Sequence, residues 1–154
     1  MVSLKQLLEP FAQSIFAKTT AIHTLDLERK TKARFLESIS DDIKKCSNFV
    51  RPLVSKNAQE ASVKYKFNLC VMNWHDMKSA DRKIFHFEHV NTVSSLRAAC
   101  CEAHSIESIL EILLSNISIA WILKEEDARL TSNGYKSKRP KNAYDLVGIK
   151  LVEP

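Results

Sequence analysis

The sequence predicts a helix-rich α+β fold in which an N-terminal helical hairpin packs with a small antiparallel sheet and further short helices. Three observations carry that expectation. Apolar residues in the first third of the chain recur at the spacing that gathers them on one side of a helix. Later segments alternate apolar and polar residues, or run together in aromatic and β-branched ones, as strands do. Only 2 glycines occur among the 154 residues, too few for the many tight turns of an all-β sandwich or barrel.

The elements follow in order. Leu4, Leu7, Leu8, Phe11 and Ile15 define a first helix, which Pro10 is expected to kink or restart because its ring removes a backbone donor. Thr24 or Asp26 offers the cap of a second helix, along which Leu36, Ile39, Ile43, Cys46 and Val50 recur in a 3-4-3-4 pattern. Pro52 ends that helix near Val50. The seam suits either a coiled-coil dimer or packing against the first helix as an αα-hairpin, and the shortness of the repeat favours the hairpin. Val63, Tyr65, Phe67, Leu69 and Val71 alternate with Lys64, Lys66, Asn68, Cys70 and Met72, which reads as a strand. Residues 57–61 leave open a helix running into it. A polar stretch from His75 to Arg82 leads to a second strand over 83–90, the two forming an antiparallel hairpin with a long loop.

Thr92 and Ser105 are expected to cap helices over 93–103 and 106–114. Residues 117–123 are a nearly unbroken apolar run of strand length. Residues 124–131 read as a short helix with an acidic first turn, where the helix dipole favours negative charge, and Asn133-Gly134 stops it. A basic loop over 135–141, a helical turn over 142–147 and an edge strand over 149–152 complete the chain. No repeat, low-complexity tract or linker interrupts it, so residues 1–154 are expected to form one domain.

Composition narrows the function. There is no glycine-rich phosphate loop of any kind. The net charge of +5 favours phosphate-bearing or acidic partners and fits poorly with an inhibitor of basic toxins, which would be acidic. The 4 cysteines, Cys46, Cys70, Cys100 and Cys101, form no CxxC pair, and no signal peptide precedes them, so reduced thiols in the cytoplasm are expected. The most apolar stretch, 110–123, is broken by Glu111, Ser115, Asn116 and Ser118 and is too short to cross a bilayer, so no membrane role is expected.

The segment Phe85-His86-Phe87-Glu88-His89-Val90 holds the densest chemistry. On a strand, Phe85, Phe87 and His89 share one face while His86 and Glu88 share the other. The Glu88-His89 pair at a strand end resembles the first motif of HNH-type nucleases. That resemblance implies an acid that helps hold a divalent metal and an imidazole that takes a proton from the attacking water. The downstream asparagine and second histidine of that pattern are not found at matching spacing, although Asn91 and His104 follow. The catalytic candidates are therefore Glu88, His89 and His86, against a plain reading in which they make structural hydrogen bonds. A Cys₂His₂ zinc set from Cys70, His75, Cys101 (or Cys100) and His104 is the weaker cofactor expectation, because those thiols fall in regular elements where buried cysteine is ordinary core. Asp76, Glu125, Glu126 and Asp127 also offer carboxylates, the last three better explained by the helix dipole.

Tyr135, Lys136, Lys138, Arg139 and Lys141 form a basic loop suited to phosphates, with the tyrosine as a stacking surface and Lys64, Lys66, Arg82 and Lys83 as extensions. Trp74 and Trp121 read as core or semi-buried anchors and His23 as structural. Two functions follow. The first is a nucleic-acid-associated protein that binds phosphates through the loop and is a candidate degenerate metal-dependent nuclease, using a divalent metal and cutting phosphodiesters with Glu88 and His89. The alternative is a non-catalytic interaction module, such as an inhibitor, immunity factor or subunit of a larger assembly, which meets a protein partner through the helix seam or residues 117–123.

Overall fold

Ser3 sets where the first helix begins. Its hydroxyl accepts from the Gln6 backbone N–H, and the Gln6 side chain accepts from the Ser3 N–H in return. In the computed structural model, which describes residues 1–153, α1 spans Leu4–Thr24 and continues through Pro10 without restarting. A proline this near the start removes one hydrogen bond, and the buried row Leu8, Ala12, Ile15, Thr19 and Ile22 holds the helix on either side of it. The second helix, α2, spans Arg29–Cys46. Neither Thr24 nor Asp26 caps it; Glu28 occupies the cap position without a side-chain bond. The helix gives way to a 3₁₀ turn over Ser47–Phe49, short of Val50.

The described chain falls into two compact units, each assembled from two separated stretches. The first joins Met1–Phe49 to Val93–Ile117 and is all helix. Here α1 packs on α2 and on α5 (Ile106–Asn116), and α4 (Val93–Glu102) packs on α2 and α5. Ile39, Ile43 and Cys46 of the α2 seam are wholly buried, so the αα-hairpin is formed and the seam is covered inside its own unit. Asp42 fastens the pair by accepting from Ser14 Oγ and Lys18 Nζ of α1. Ser105 caps α5 as expected, its hydroxyl accepting from the Ser108 N–H.

The second unit begins at Val50, runs to Thr92 and resumes at Ser118. Its four strands are β1 (Leu53–Ser55), β2 (Phe85–His89), β3 (Ile119–Leu123) and β4 (Leu151–Val152), in the order β2-β3-β1-β4. β1 runs parallel to β3, whereas the β2–β3 and β1–β4 pairs are antiparallel. The sheet is mixed, not purely antiparallel. The reason is local: β1 and β3 each lead into a helix, α3 (Lys56–Tyr65) and α6 (Lys124–Ser132), instead of a hairpin turn.

The expected strand over 63–72 is not formed. Ser55 caps α3 by accepting from the Ala58 N–H, and the helix runs on to Tyr65, stops at Lys66 in the left-handed region (φ 55), and is followed by a 3₁₀ turn over Leu69–Val71. The alternating apolar residues therefore do not share a face, and Val63 is 75% exposed. The partner of β2 is β3, in register from Phe85↔Leu123 to His89↔Ile119. One side of the sheet carries a core of Val54, Phe85 and Trp121 with Ala58, Leu69 and Met77, and the Trp121 indole donates to Met72 O at 2.8 Å. The other side buries Ala120 and Ile122 against Leu130, Ala143, Tyr144 and Ile149 of α6, of α7 (Ala143–Leu146) and of the turn after it. Both glycines stop helices at positive φ, Gly134 (79°) after α6 and Gly148 (69°) after α7. No described helix is long and apolar enough to cross a membrane.

Candidate functional site

The chemistry of the second unit gathers on the α6 and α7 side of strand β2. Strand alternation puts His86 and Glu88 on that side, opposite Ile122 and Ala120 of β3. Glu88 is 9% exposed and both of its oxygens are engaged. Oε1 accepts from Arg139 Nη2 at 2.8 Å and Oε2 faces His86 Nε2 at 2.8 Å. Burial alone would raise the Glu88 carboxyl; hydrogen bonds from His86 and Arg139, backed by the Arg139 charge, outweigh it and hold the group below its ordinary value of 4.5.

His86 is the hub. Lys124, at the start of α6, brings Nζ to 3.1 Å from Nδ1, and Asp127 one turn on brings Oδ1 to 3.6 Å from Nε2. An ammonium can only donate, so Nδ1 is the acceptor and the ring proton sits on Nε2, aimed at Glu88. Donor atoms of His86, Glu88 and Asp127 all lie within 4.8 Å of one another, and no other group of three or more histidine, cysteine or acidic residues converges in this way among the described residues.

Arg139 does not face solvent. Its side chain is 7% exposed, and besides Glu88 its guanidinium donates to Tyr135 O (3.0 Å), His89 O (2.8 Å), Val90 O (3.2 Å) and Tyr144 Oη (2.7 Å). Burial pushes the Tyr144 phenol well above its ordinary range, so it stays neutral. Arg139 thus stitches the basic loop to the end of β2. Thr92 adds a second tie, its hydroxyl donating to Ser137 O. Of the other loop residues, Lys136, Lys138 and Lys141 are exposed, and Tyr135 packs partly against the core.

The expected catalytic group is therefore divided. His86 and Glu88 meet; His89 belongs to the opposite side of the strand and contributes only its carbonyl to the cluster. Asp127 and Lys124 are the members that periodicity did not single out. The three acids of the α6 first turn have three different surroundings. Glu125 is exposed and Asp127 approaches His86. Glu126 is wholly buried and accepts from Ser55 Oγ (2.6 Å), Asn57 Nδ2 (3.0 Å) and the Leu123 N–H (2.9 Å). Glu126 thereby ties together the starts of α3 and α6 where the two parallel strands end. Its signal in the sequence was the spacing of three from Leu123, where a helix-start carboxylate reaches back.

Several other expectations resolve locally. Cys46 and Cys100 are wholly buried in the helical unit, and burial pushes both thiols up to about 12, which suits core residues and not thiolate ligands. All four cysteines are free thiols. His23 Nε2 donates to Cys101 O (2.8 Å), a structural role. Trp121 is wholly buried, while Trp74 is 39% exposed beneath the Arg82 guanidinium, 4.1 Å from its ring centroid. Lys64 and Lys66 are exposed at the end of α3 instead of on a strand face. Much of the two surfaces expected to meet a protein partner is interior: Ile39, Ile43 and Cys46 of the α2 seam are wholly buried, and within 117–123 the residues Ile119, Ala120, Trp121 and Ile122 are buried in the strand between β2 and β1.

No family model matches the sequence, and no curated protein or solved structure matches the chain. The functional reading accordingly rests on the geometry around β2.

Proposed function

We propose that the protein binds the phosphate backbone of nucleic acid through residues 135–141, with Lys136, Lys138 and Lys141 as the contacting cations. The observation that carries this reading is that Lys136, Lys138 and Lys141 are exposed on one short loop whose course is set by the buried Arg139. Arg139 serves as the brace of the loop and not as a phosphate ligand, because its guanidinium is already committed to inward acceptors. Through that brace the loop adjoins Glu88 and His86, so a bound phosphate would lie near titratable groups. Any phosphodiester chemistry would then fall to His86, Glu88 and Asp127 before His89.

The test is association with duplex and single-stranded DNA and RNA over a salt series. Binding is expected to weaken steeply as salt rises. The combined Lys136→Ala, Lys138→Ala and Lys141→Ala variant should lower the salt slope by roughly one for each lysine that meets a phosphate. Absence of association at low ionic strength, or equal binding by the triple variant, removes the reading.

A further inference from the structure

We propose that His86 Nε2, Glu88 Oε2 and Asp127 Oδ1 form a site for one divalent first-row transition cation of the Mn²⁺ or Zn²⁺ kind. The inference stands on its own geometry and does not require the protein to bind nucleic acid.

Spacing is the first argument. A cation with bonds of about 2.0–2.2 Å holds neighbouring donor atoms about 3 Å apart. The distance from His86 Nε2 to Glu88 Oε2 is 2.8 Å and that to Asp127 Oδ1 is 3.6 Å, and one donor atom from each of the three residues lies within 4.8 Å of the others. An inward step of the Asp127 side chain closes the set, and that side chain, 32% exposed, has room to move.

Support behind the ligands is the second argument. His86 and Glu88 are neighbours on one face of a strand paired along its full length with β3. The second oxygen of Glu88 is held by Arg139, an outer partner of the sort that fixes how a ligating carboxylate points. Donor chemistry then sets the class of cation. One imidazole with two carboxylates suits manganese or zinc; magnesium, which prefers oxygen and sheds its water reluctantly, is a poorer match. Three protein donors leave positions for water or for an oxygen of a bound anion, and the site opens to solvent past His86, whose side chain is 26% exposed.

Charge is the third argument, and it makes the proposal distinguishable from a plain hydrogen-bond cluster. Two carboxylates now face two cations, Arg139 and Lys124. Ligation through Nε2 moves the ring proton to Nδ1, where Lys124 currently donates, so metal and Lys124 exclude each other. Lys124 is exposed and free to swing outward. Its removal should therefore strengthen metal binding, whereas a purely structural cluster gains no metal affinity from losing a lysine.

The experiment uses the full chain stripped with a chelator and titrated with Mn²⁺ followed by electron paramagnetic resonance, then with Zn²⁺ in competition by calorimetry. Variants are first checked for native circular dichroism. One ion per chain is expected, with Mg²⁺ at least about tenfold weaker. His86→Gln and Asp127→Asn should each weaken Mn²⁺ binding by about tenfold or more, and Lys124→Gln should tighten it severalfold. If His86→Gln fails to fold, the partly exposed Asp127 decides the matter through Asp127→Asn. No binding of either ion at millimolar concentration, binding that Asp127→Asn leaves unchanged, or weaker binding in Lys124→Gln would each overturn the site.

Discussion

Replacing Arg139 by methionine tests whether this residue is a brace or a surface cation. The substitution keeps much of the side-chain length but removes every donor of the guanidinium. Glu88, 9% exposed, would lose its charged partner at Oε1, and the carbonyls of Tyr135, His89 and Val90 would lose a donor they now share. Breaking a buried ion pair from one side costs about 3–5 kcal/mol, since the remaining charge stays buried without compensation. The loop carbonyls, by contrast, can turn to water once the loop loosens. A loss of about 3–5 kcal/mol in urea-unfolding stability is expected, with the shift in midpoint and little change in slope. The double variant Arg139→Met with Glu88→Leu removes both charges and should recover much of that loss, giving a coupling energy of roughly 2 kcal/mol or more in a double-mutant cycle. If Arg139→Met stays within about 0.5 kcal/mol of the wild type, as surface substitutions do, the buried brace is refuted. The solvent-facing reading of Arg139 would then return.

Other predictions use the same chemistry. The Glu88 carboxyl titrates below its ordinary value of 4.5 in the folded chain, so its contribution to stability is present in full above that value and disappears as pH falls through the lower folded-state value. Acid unfolding followed by circular dichroism should show this loss, and Glu88→Gln should flatten that limb of the curve; an identical acid limb in the variant would contradict the assignment. Cys46 and Cys100, with thiols pushed up to about 12 by burial, should resist alkylation near pH 8 in the native protein and react once it is unfolded. Mass spectrometry of the labelled protein checks this, and rapid native labelling at either position would show that the helical core is not closed as described.

How far the sequence could be read differed from element to element. The 3-4-3-4 row through Ile39, Ile43 and Cys46 foretold a buried helix face, because helical periodicity is a local property that the residues themselves carry. The helices at 93–102 and 106–116, the strands at 85–89 and 119–123, and the acidic opening of α6 were legible for the same reason. The stretch from Val63 to Val71 misled because alternating apolar residues need a neighbouring strand to become a strand, and here the Ser55 cap had already committed the chain to a helix. Strand direction was also hidden. Nothing local in Leu53–Ser55 states that it lies beside Ile119–Leu123 and runs parallel to it.

The sequence by itself determined the fold class, most helices and the two strands that pair as β2 and β3, since local spacing, caps and turn residues act over a few positions. It also marked His86 and Glu88 as side chains of one strand face, because alternation is built into extended backbone. Only the tertiary structure decided which acid joins them. Asp127 reaches His86, and Arg139 reaches Glu88, across separations of 41 and 51 residues that no periodic pattern spans. It decided, too, that Arg139 points inward while its lysine neighbours stay in water. A guanidinium ringed by carbonyls and one carboxylate is stable in the interior, and an unpaired ammonium is not.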